Sequence, residues 1–517
     1  MTRRFNFGEI KLTAGDDGLR SIPQPHAPFC IVVLGNFSGR STFGAVNGGV
    51  GRRRPVLVDR DNFDEVLAKT GAAINLPIGG TTPPTLRFSE LDDFHPDRLF
   101  QNAAIFRQLR EVRGRLEDPA TFAAAAEELG AKTANLATVT PPASAASANG
   151  VASGVRQTRS GGLLNEILEQ AEGGGASVAP SRAPDELREF VRRVTQPHLM
   201  TAADPLQAET IGMIDRALSA QMRALLHVPD FQSLEAAWRA IFLLLRRIET
   251  GSQLQLYLID ISQQELAADL KSSQDLCASG TYRLLVERSV GTPGAEPWAM
   301  IVGNYTFGPD REDAEQLGRL ARIARAAGAP FIAAANARLL GCASLAETPH
   351  PRDWRLTPES DTAAAWAELR GLPEASAIGL VLPRFLLRLP YGKKTDPIES
   401  FDFEEMREVP AHEDYLWGNP AFACALFLAQ SFNEHGWQMR PGMHSQIDGL
   451  PLHLYQQEGE SELKPCAEAL LTEEGAERIL DNGLMPLVSL KGRDAIRLVR
   501  FQSIADPPKA LAGRWSG

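Results

Sequence analysis

The residues best placed to do chemistry stand in one short run, His412-Glu413-Asp414-Tyr415-Leu416-Trp417-Gly418-Asn419. An imidazole beside two carboxylates can bind a metal ion or move a proton near neutral pH. The same run also reads as a polar lead into a helix capped by Asn419, with Tyr415 and Trp417 docking onto the core. The structural reading is preferred, because the nine histidines are spread singly and none offers His412 a second ligand at metal spacing.

Other signatures fail on spacing. Gly392-Lys393-Lys394-Thr395 ends like a phosphate loop, but Lys394 fills the position that a hydroxyl must hold, and the Arg388 region supplies no leading glycine. In Gly35-Asn36-Phe37-Ser38-Gly39 the serine comes one position late for a nucleophile elbow. No cysteine pair has zinc spacing, no His-Glu-x-x-His occurs, and no G-x-G-x-x-G follows an apolar strand. No catalytic residue, cofactor or metal ligand is assigned, and the chain does not read as an enzyme.

The elements that would carry these residues belong to a large α/β protein. A chain of 517 residues exceeds one hydrophobic core, so two to four domains are expected. Apolar residues make up 44% and charged residues 23%, which rules out disorder throughout. The net charge of −11 disfavours a nucleic-acid surface, which needs a surplus of Lys and Arg. The one basic run, Arg52-Arg53-Arg54, sits in a Gly-rich loop and reads as solvated rather than as a phosphate site. Five singly placed cysteines, mostly in apolar contexts, are the usage of free thiols in a reducing compartment. With no signal peptide and no apolar run long enough for a bilayer, a cytoplasmic protein without membrane insertion is expected.

Residues 131–162, including TPPASAASANGVASGVRQTRSGG, are rich in Ala, Ser, Gly and Pro and read as a flexible linker. A second Gly/Pro/Ser stretch at 173–184 leaves a short amphipathic island between the two. Before the linker, residues 29–34 form an apolar run expected to be a buried strand. Asp61 can cap a helix carrying Phe63, Val66 and Leu67, and residues 86–88 alternate as a strand. Pro96 suits the first turn of a helix bearing Leu99, Phe100, Ile105, Phe106, Leu109 and Val112.

Beyond the linkers, Ile211, Ile214, Leu218, Met222 and Leu225 share one helix face; Leu234, Trp238, Ile241, Leu245 and Ile248 share the next, closed by Gly251. Leu254, Leu256 and Leu258 predict a half-buried strand, and Ser262 with Glu265 a capping box. Further strands are expected at 300–302, 331–335, 378–382, 452–455 and 487–488, with one helix ending at Gly328 and another starting at Asn419-Pro420. Strands alternating with helices indicate α/β architecture.

Two sets of segments carry a family resemblance. FCIVVLGNFSGR (29–40), VDRDNFDEVLA (58–68) and LRFSELDDFHPDRL (86–99) resemble the small (TssB/VipA-like) sheath subunit of type VI secretion systems, over about 29–129. LLHVPDFQSLEAAWRAIFLLL (225–245), GTPGAEPWAMIVGNYTFG (291–308), APFIAAA (329–335), LPRFLLRLPYG (382–392) and HEDYLWGN (412–419) resemble the large (TssC/VipB-like) subunit, over about 162–506. The order matches the family, which makes HEDYLWGN a structural hallmark.

The resemblance implies a mixed-sheet contractile-sheath fold, phage tail-sheath-like, built jointly by the two fused parts. The expected division is 1–130 small-subunit part, 131–162 linker, 163–184 short helix and second linker, and 185–517 large-subunit part, C-terminally shortened. It implies a structural protomer whose partners are other protomers, an inner tube, a baseplate and an AAA+ unfoldase. The alternative is a sheath-like accessory that caps or regulates the assembly without polymerising. The unfoldase is expected to take the helix GLLNEILE at 162–169 through Leu163, Leu164, Ile167 and Leu168. Phe5 to Leu12 alternate like an exchangeable strand, and the chain is expected to end in a polar tail after Asp506-Pro507-Pro508. Self-assembly without a partner is expected to be poor.

Overall fold

The computed structural model describes residues 5–10, 26–44, 49–76, 84–137, 205–292, 294–355 and 361–515. The chain divides into two compact units, 1–108 with 215–517, and 109–214. The expected linkers and the helix at 162–169 lie outside the described residues.

In chain order the elements begin with strand β1 (Phe29–Gly35), β2 (Val56–Val58), helix α1 (Phe63–Thr70), β3 (Ala73–Asn75), β4 (Thr85–Arg87) and α2 (Pro96–Asn102). The helices α3 (Arg107–Glu117), α4 (Phe122–Ala137), α5 (Pro205–Leu226) and α6 (Pro229–Arg247) follow. Then come β5 (Leu254–Asp260), α7 (Gln263–Lys271), β6 (Trp298–Phe307), α8 (Arg311–Ala327), β7 (Phe331–Ala335), α9 (Asp361–Arg370) and β8 (Ile378–Leu382). The last are β9 (Phe385–Leu386), β10 (Trp417–Gly418), α10 (Ala421–His435), β11 (Gln446–Ile447), β12 (His453–Gln457), β13 (Glu460–Lys464), α11 (Glu473–Asp481), β14 (Met485–Ser489) and β15 (Ile496–Leu498).

Nine strands make one mixed sheet in the order β11-β15-β14-β8-β7-β6-β1-β5-β2. The six strands from β14 to β5 run parallel, and β2 and β15 are antiparallel to their neighbours. All seven residues of β1 are buried, as a parallel strand covered on both faces requires. The apolar stripe of α6 and the apolar first nine residues of α10 are buried along this sheet. α8 closes on Gly328 at φ +66°, the left-handed C-terminal turn that glycine takes without strain. In the smaller unit, Gln207 donates to the Leu116 carbonyl at 2.7 Å, and Arg115 pairs with Glu128 at 2.8 Å.

Five local expectations need correction. The residue before α1 is Asn62, since the Asp59 carboxylate accepts from the amides of both Asp61 and Asn62 and shifts the start by one. The helix from Pro96 breaks at Ala103 and resumes as α3 after a short 3-10 turn. One continuous helix would point Phe100 and Phe106 to different faces; the break brings their rings within 6.3 Å. α6 ends at Arg247, and Gly251 instead opens the turn into β5, its amide bonded to the Leu254 carbonyl at 2.8 Å.

At the N-terminus, the described residues 5–10 make a single bridge, Glu9 to Asp275, rather than a ladder. Phe7 packs on α8, where a Cβ on Gly318 would fall 2.1 Å from its ring. After β15 the chain folds back on the body: Ser503, Ile504 and Leu511 are buried, and the Ala512 amide bonds the Ser376 carbonyl at 2.8 Å.

Candidate functional site

The seam between the residues before 108 and those after 215 runs through the middle of the large sheet. β1 lies between β5 and β6, paired with Leu254–Asp260 over its whole length and with β6 through Leu34. Strands from both ends of the sequence therefore share one ladder. β2 adds a second contribution from the N-terminal part, antiparallel to β5.

Polar contacts fix the turn after β1. Asp260, at the end of β5, accepts from the amides of Phe37 (2.8 Å) and Ser38 (3.0 Å) and pairs with Arg40. Trp238 of α6 donates its indole N–H to the Phe37 carbonyl at 3.0 Å, with both side chains buried. Arg53 reaches the Asp260 carbonyl at 2.6 Å and Glu265 at 2.5 and 3.1 Å. Glu265 is 2% exposed and also closes the expected capping box with Ser262. Burial alone would raise its carboxyl, but the Arg53 hydrogen bond, the Ser262 amide and the charges of Arg53 and Arg40 hold it below the usual carboxylate range.

The arginine run thus divides. Arg52 and Arg54 are exposed, while Arg53 turns inward to the seam. The adjacent backbone is clamped as well: Arg288 donates to the carbonyls of Gly51 (2.7 Å) and Arg53 (2.6 Å). A Cβ on Gly280 would lie 2.3 Å from the Gly51 nitrogen, so only glycine permits this approach. Arg60 binds the last carbonyls of α6, at 2.6 Å for Leu245, as a cation at a helix C-terminus should. Phe88 stacks on Phe94 at 4.1 Å, and both meet Phe231 edge-on.

The HEDYLWGN run is bound into its surroundings by stacking and ion pairs. His412 stacks on Trp417 at 4.9 Å, with its ring nitrogens 3.1 Å from Glu468 and 2.9 Å from Lys464. Arg384 bridges Glu413 and Glu468. His412, Glu413 and Glu468 are close enough together for a metal, but Lys464 and Arg384 already supply the positive charge there. Burial would raise Glu468, yet hydrogen bonds from His412 and Arg384 hold it down at about 2. Tyr415 and Trp417 are buried; the N-cap of α10 is Pro420 rather than the expected Asn419, whose side-chain oxygen accepts the Ala421 amide at 3.0 Å from one position further back.

A second charged cluster lies buried in the C-terminal part. Arg388 donates to Glu235 at 2.8 Å and to Glu405 at 2.7 and 3.0 Å, while Arg239 also binds Glu235. The Glu405 carboxyl is held at about 2: burial opposes the shift, and the charge of Arg388, hydrogen bonds from Arg388 and the Tyr391 amide, and His227 at 3.7 Å outweigh it. The Gly392 loop carries no phosphate-binding geometry; the Lys393 amide faces Glu404 and its ammonium faces Asp402. Leu163, Leu164, Ile167 and Leu168 fall outside the described residues.

A nine-stranded mixed sheet assembled from two distant stretches of chain defines an α/β protein whose two stretches share one sheet. Residues 208–505, more than half of the chain, match the family described as VipB: EvpB/VC_A0108, tail sheath N-terminal domain. Residues 21–137 match the family described as Type VI secretion system, VipA, VC_A0107 or Hcp2. The type VI secretion system sheath protein TssC1 of Pseudomonas aeruginosa is 36% identical over 303 residues, 57% of this chain and 61% of that protein. The chain thus spans about three fifths of the length of this relative. The chain belongs to the type VI secretion sheath family, with VipA-type and VipB-type regions in one polypeptide. That family is structural, not enzymatic. Among the described residues no helix is long and apolar enough to cross a membrane.

Proposed function

We propose that this chain is a protomer of the type VI contractile sheath, with small- and large-subunit parts fused. In this reading the protomers assemble around an inner tube on a baseplate, and contraction drives the tube outward. The observation that carries it is β1: a buried strand from the small-subunit part, paired on both sides by the large-subunit part, makes the two parts a single mechanical body. Work then comes from repacking between protomers, not from chemistry within one.

The proposed division keeps 1–130, 131–162, 163–184 and 185–517, and the fold is read as phage tail-sheath-like. The protein works in the cytoplasm in this reading. An AAA+ unfoldase takes the segment bearing Leu163, Leu164, Ile167 and Leu168, folding it as a helix into a groove. Negative-stain imaging of the purified chain, alone and with an ordinary large subunit, tests the function. Helically ordered tubes under either condition support a sheath protomer; discrete particles under both would replace it with a capping or regulatory role.

A further inference from the structure

Among the described residues, two groups of side chains gather three ligand atoms within 4.8 Å of one another, close enough for one metal ion. The first, His412 with Glu413 and Glu468, already holds Lys464 and Arg384. The second is Glu434, His435 and His444, at the C-terminal end of α10. Its carboxylate lies 2.5 Å from His444 Nε2 and 3.9 Å from His435 Nε2, and no Lys or Arg among the described residues pairs with it. A carboxylate between two imidazoles, with no cation to neutralise it, is a donor set open to a metal.

The surrounding backbone fixes where these groups stand. Glu434 and His435 are the last two residues of α10, and His444 follows nine positions after His435, beyond a reversal that opens at Gly436 (φ +56°). That reversal is pinned at several points. Trp437 packs on Phe29 and Phe432 and donates its indole N–H to the Ala27 carbonyl at 2.6 Å, and Met439 is buried. The His444 amide donates to the buried Ser431 hydroxyl at 3.2 Å, and Ser431 in turn donates to the Phe427 carbonyl at 2.8 Å. One residue further on, the Ser445 carbonyl accepts the Leu498 amide at 2.8 Å, just before β11 joins β15. Two of the ligands thus ride on a helix and the third beside a sheet edge, all held by groups other than the ligands themselves.

Zinc bonds nitrogen and oxygen at about 2.0–2.2 Å, which sets ligand atoms roughly 3.3 Å apart around a tetrahedron. The separations here span that value, and all three side chains reach solvent, so small rotations about their own bonds bring them onto one ion. The ion takes the place of the hydrogen bond between His444 and Glu434. Both imidazoles bind as neutral groups, so any extra proton on them passes to solvent. Two imidazoles and one carboxylate form the three-ligand set of an open zinc site, with the fourth position left for water. The carbonyls that end α10 add negative partial charge beside it. Magnesium prefers an all-oxygen shell and dehydrates reluctantly, so the nitrogen donors select against it.

We propose that Glu434, His435 and His444 bind one divalent transition-metal ion with zinc's ligand preferences, and so tie the end of α10 to the start of β11. This goes beyond the sheath role and does not depend on it. The sequence hides the set, because nine positions between the histidines exceed the short spacing of a local zinc motif, and only the reversal at Gly436 brings them together.

The test is titration of the untagged full chain, stripped with chelator, with zinc, cobalt and magnesium chlorides, read by calorimetry and by melting temperature. One equivalent of zinc per chain is expected, with a melting temperature that rises as zinc exceeds its dissociation constant. Cobalt in its place should give visible d–d absorption, and magnesium no response. His435→Gln and His444→Gln each weaken zinc binding by about tenfold or more. Neither change lowers the melting temperature of the metal-free chain, because both rings reach solvent. His350→Gln, at an exposed histidine elsewhere, leaves the affinity unaltered. No binding at roughly 1 mM zinc, binding that survives both variants, or an equal response to magnesium would overturn the proposal. So would zinc binding lost in His412→Gln instead, which would place the ion at the other cluster.

Discussion

Arg53 and Arg388 each hold a buried glutamate, but in different settings. Arg388 is 7% exposed and has carboxylates on both sides, Glu235 from α6 and Glu405 from the chain beyond β9. Arg53 is 14% exposed; it shares Glu265 with Arg40, itself 28% exposed. Beside Arg53, seven residues of β1 pair with β5, so the charges reinforce a ladder that already joins the two parts. Among the described residues no ladder joins α6 to the segment of Glu405; side chains make that junction, the buried ions chief among them. The comparison separates a seam that strand pairing holds from a junction that depends on buried charge.

Glu405→Ala breaks the comparison hardest, because it leaves Arg388 buried with one carboxylate of two. A loss of about 3–5 kcal/mol in denaturant titration is expected. Acid sharpens the same point. With its folded pKa at about 2, below the ordinary 4.5, the native Glu405 releases its proton more readily than the unfolded chain does. Its contribution is therefore complete above about 4.5 and is lost as pH falls toward 2. Denaturation midpoints in wild type should fall across that window, and the fall should be shallower in Glu405→Gln.

At the seam, Glu265→Gln weakens the charged hydrogen bonds with Arg53 and Arg40 and should cost about 1.5–3 kcal/mol, less than the interior change. A larger loss than Glu405→Ala would reverse the ranking. Trp238→Phe keeps the ring but removes the donor to the Phe37 carbonyl, for about 1 kcal/mol in the same assay. Lys69→Ala, which breaks only the exposed pair with Glu65, should change stability by about 0.3–0.5 kcal/mol.

Much of the sheet was legible in the sequence because its strands announce themselves. The strands β7 and β8 fall where their apolar runs predict, and β1 and β14 extend only slightly beyond theirs. The capping box of Ser262 and the terminator Gly328 are local signals and are read locally. The seam is not local. Nothing near Arg53 tells it from Arg52 and Arg54, since its partner Glu265 lies 212 positions away. Pro96 correctly opens α2, but the break at Ala103 is set by the contact of Phe100 with Phe106 and Phe401 across the fold.

The central claim is that both ends of the chain build one protomer. It is tested most directly by placing a specific protease site at Ser147, cutting the folded protein, and running the products on size exclusion under native conditions. If β1 is shared as described, the two fragments co-elute at the position of the uncut chain and separate only in denaturant. Fragments that elute apart in native buffer, each still folded, would contradict it.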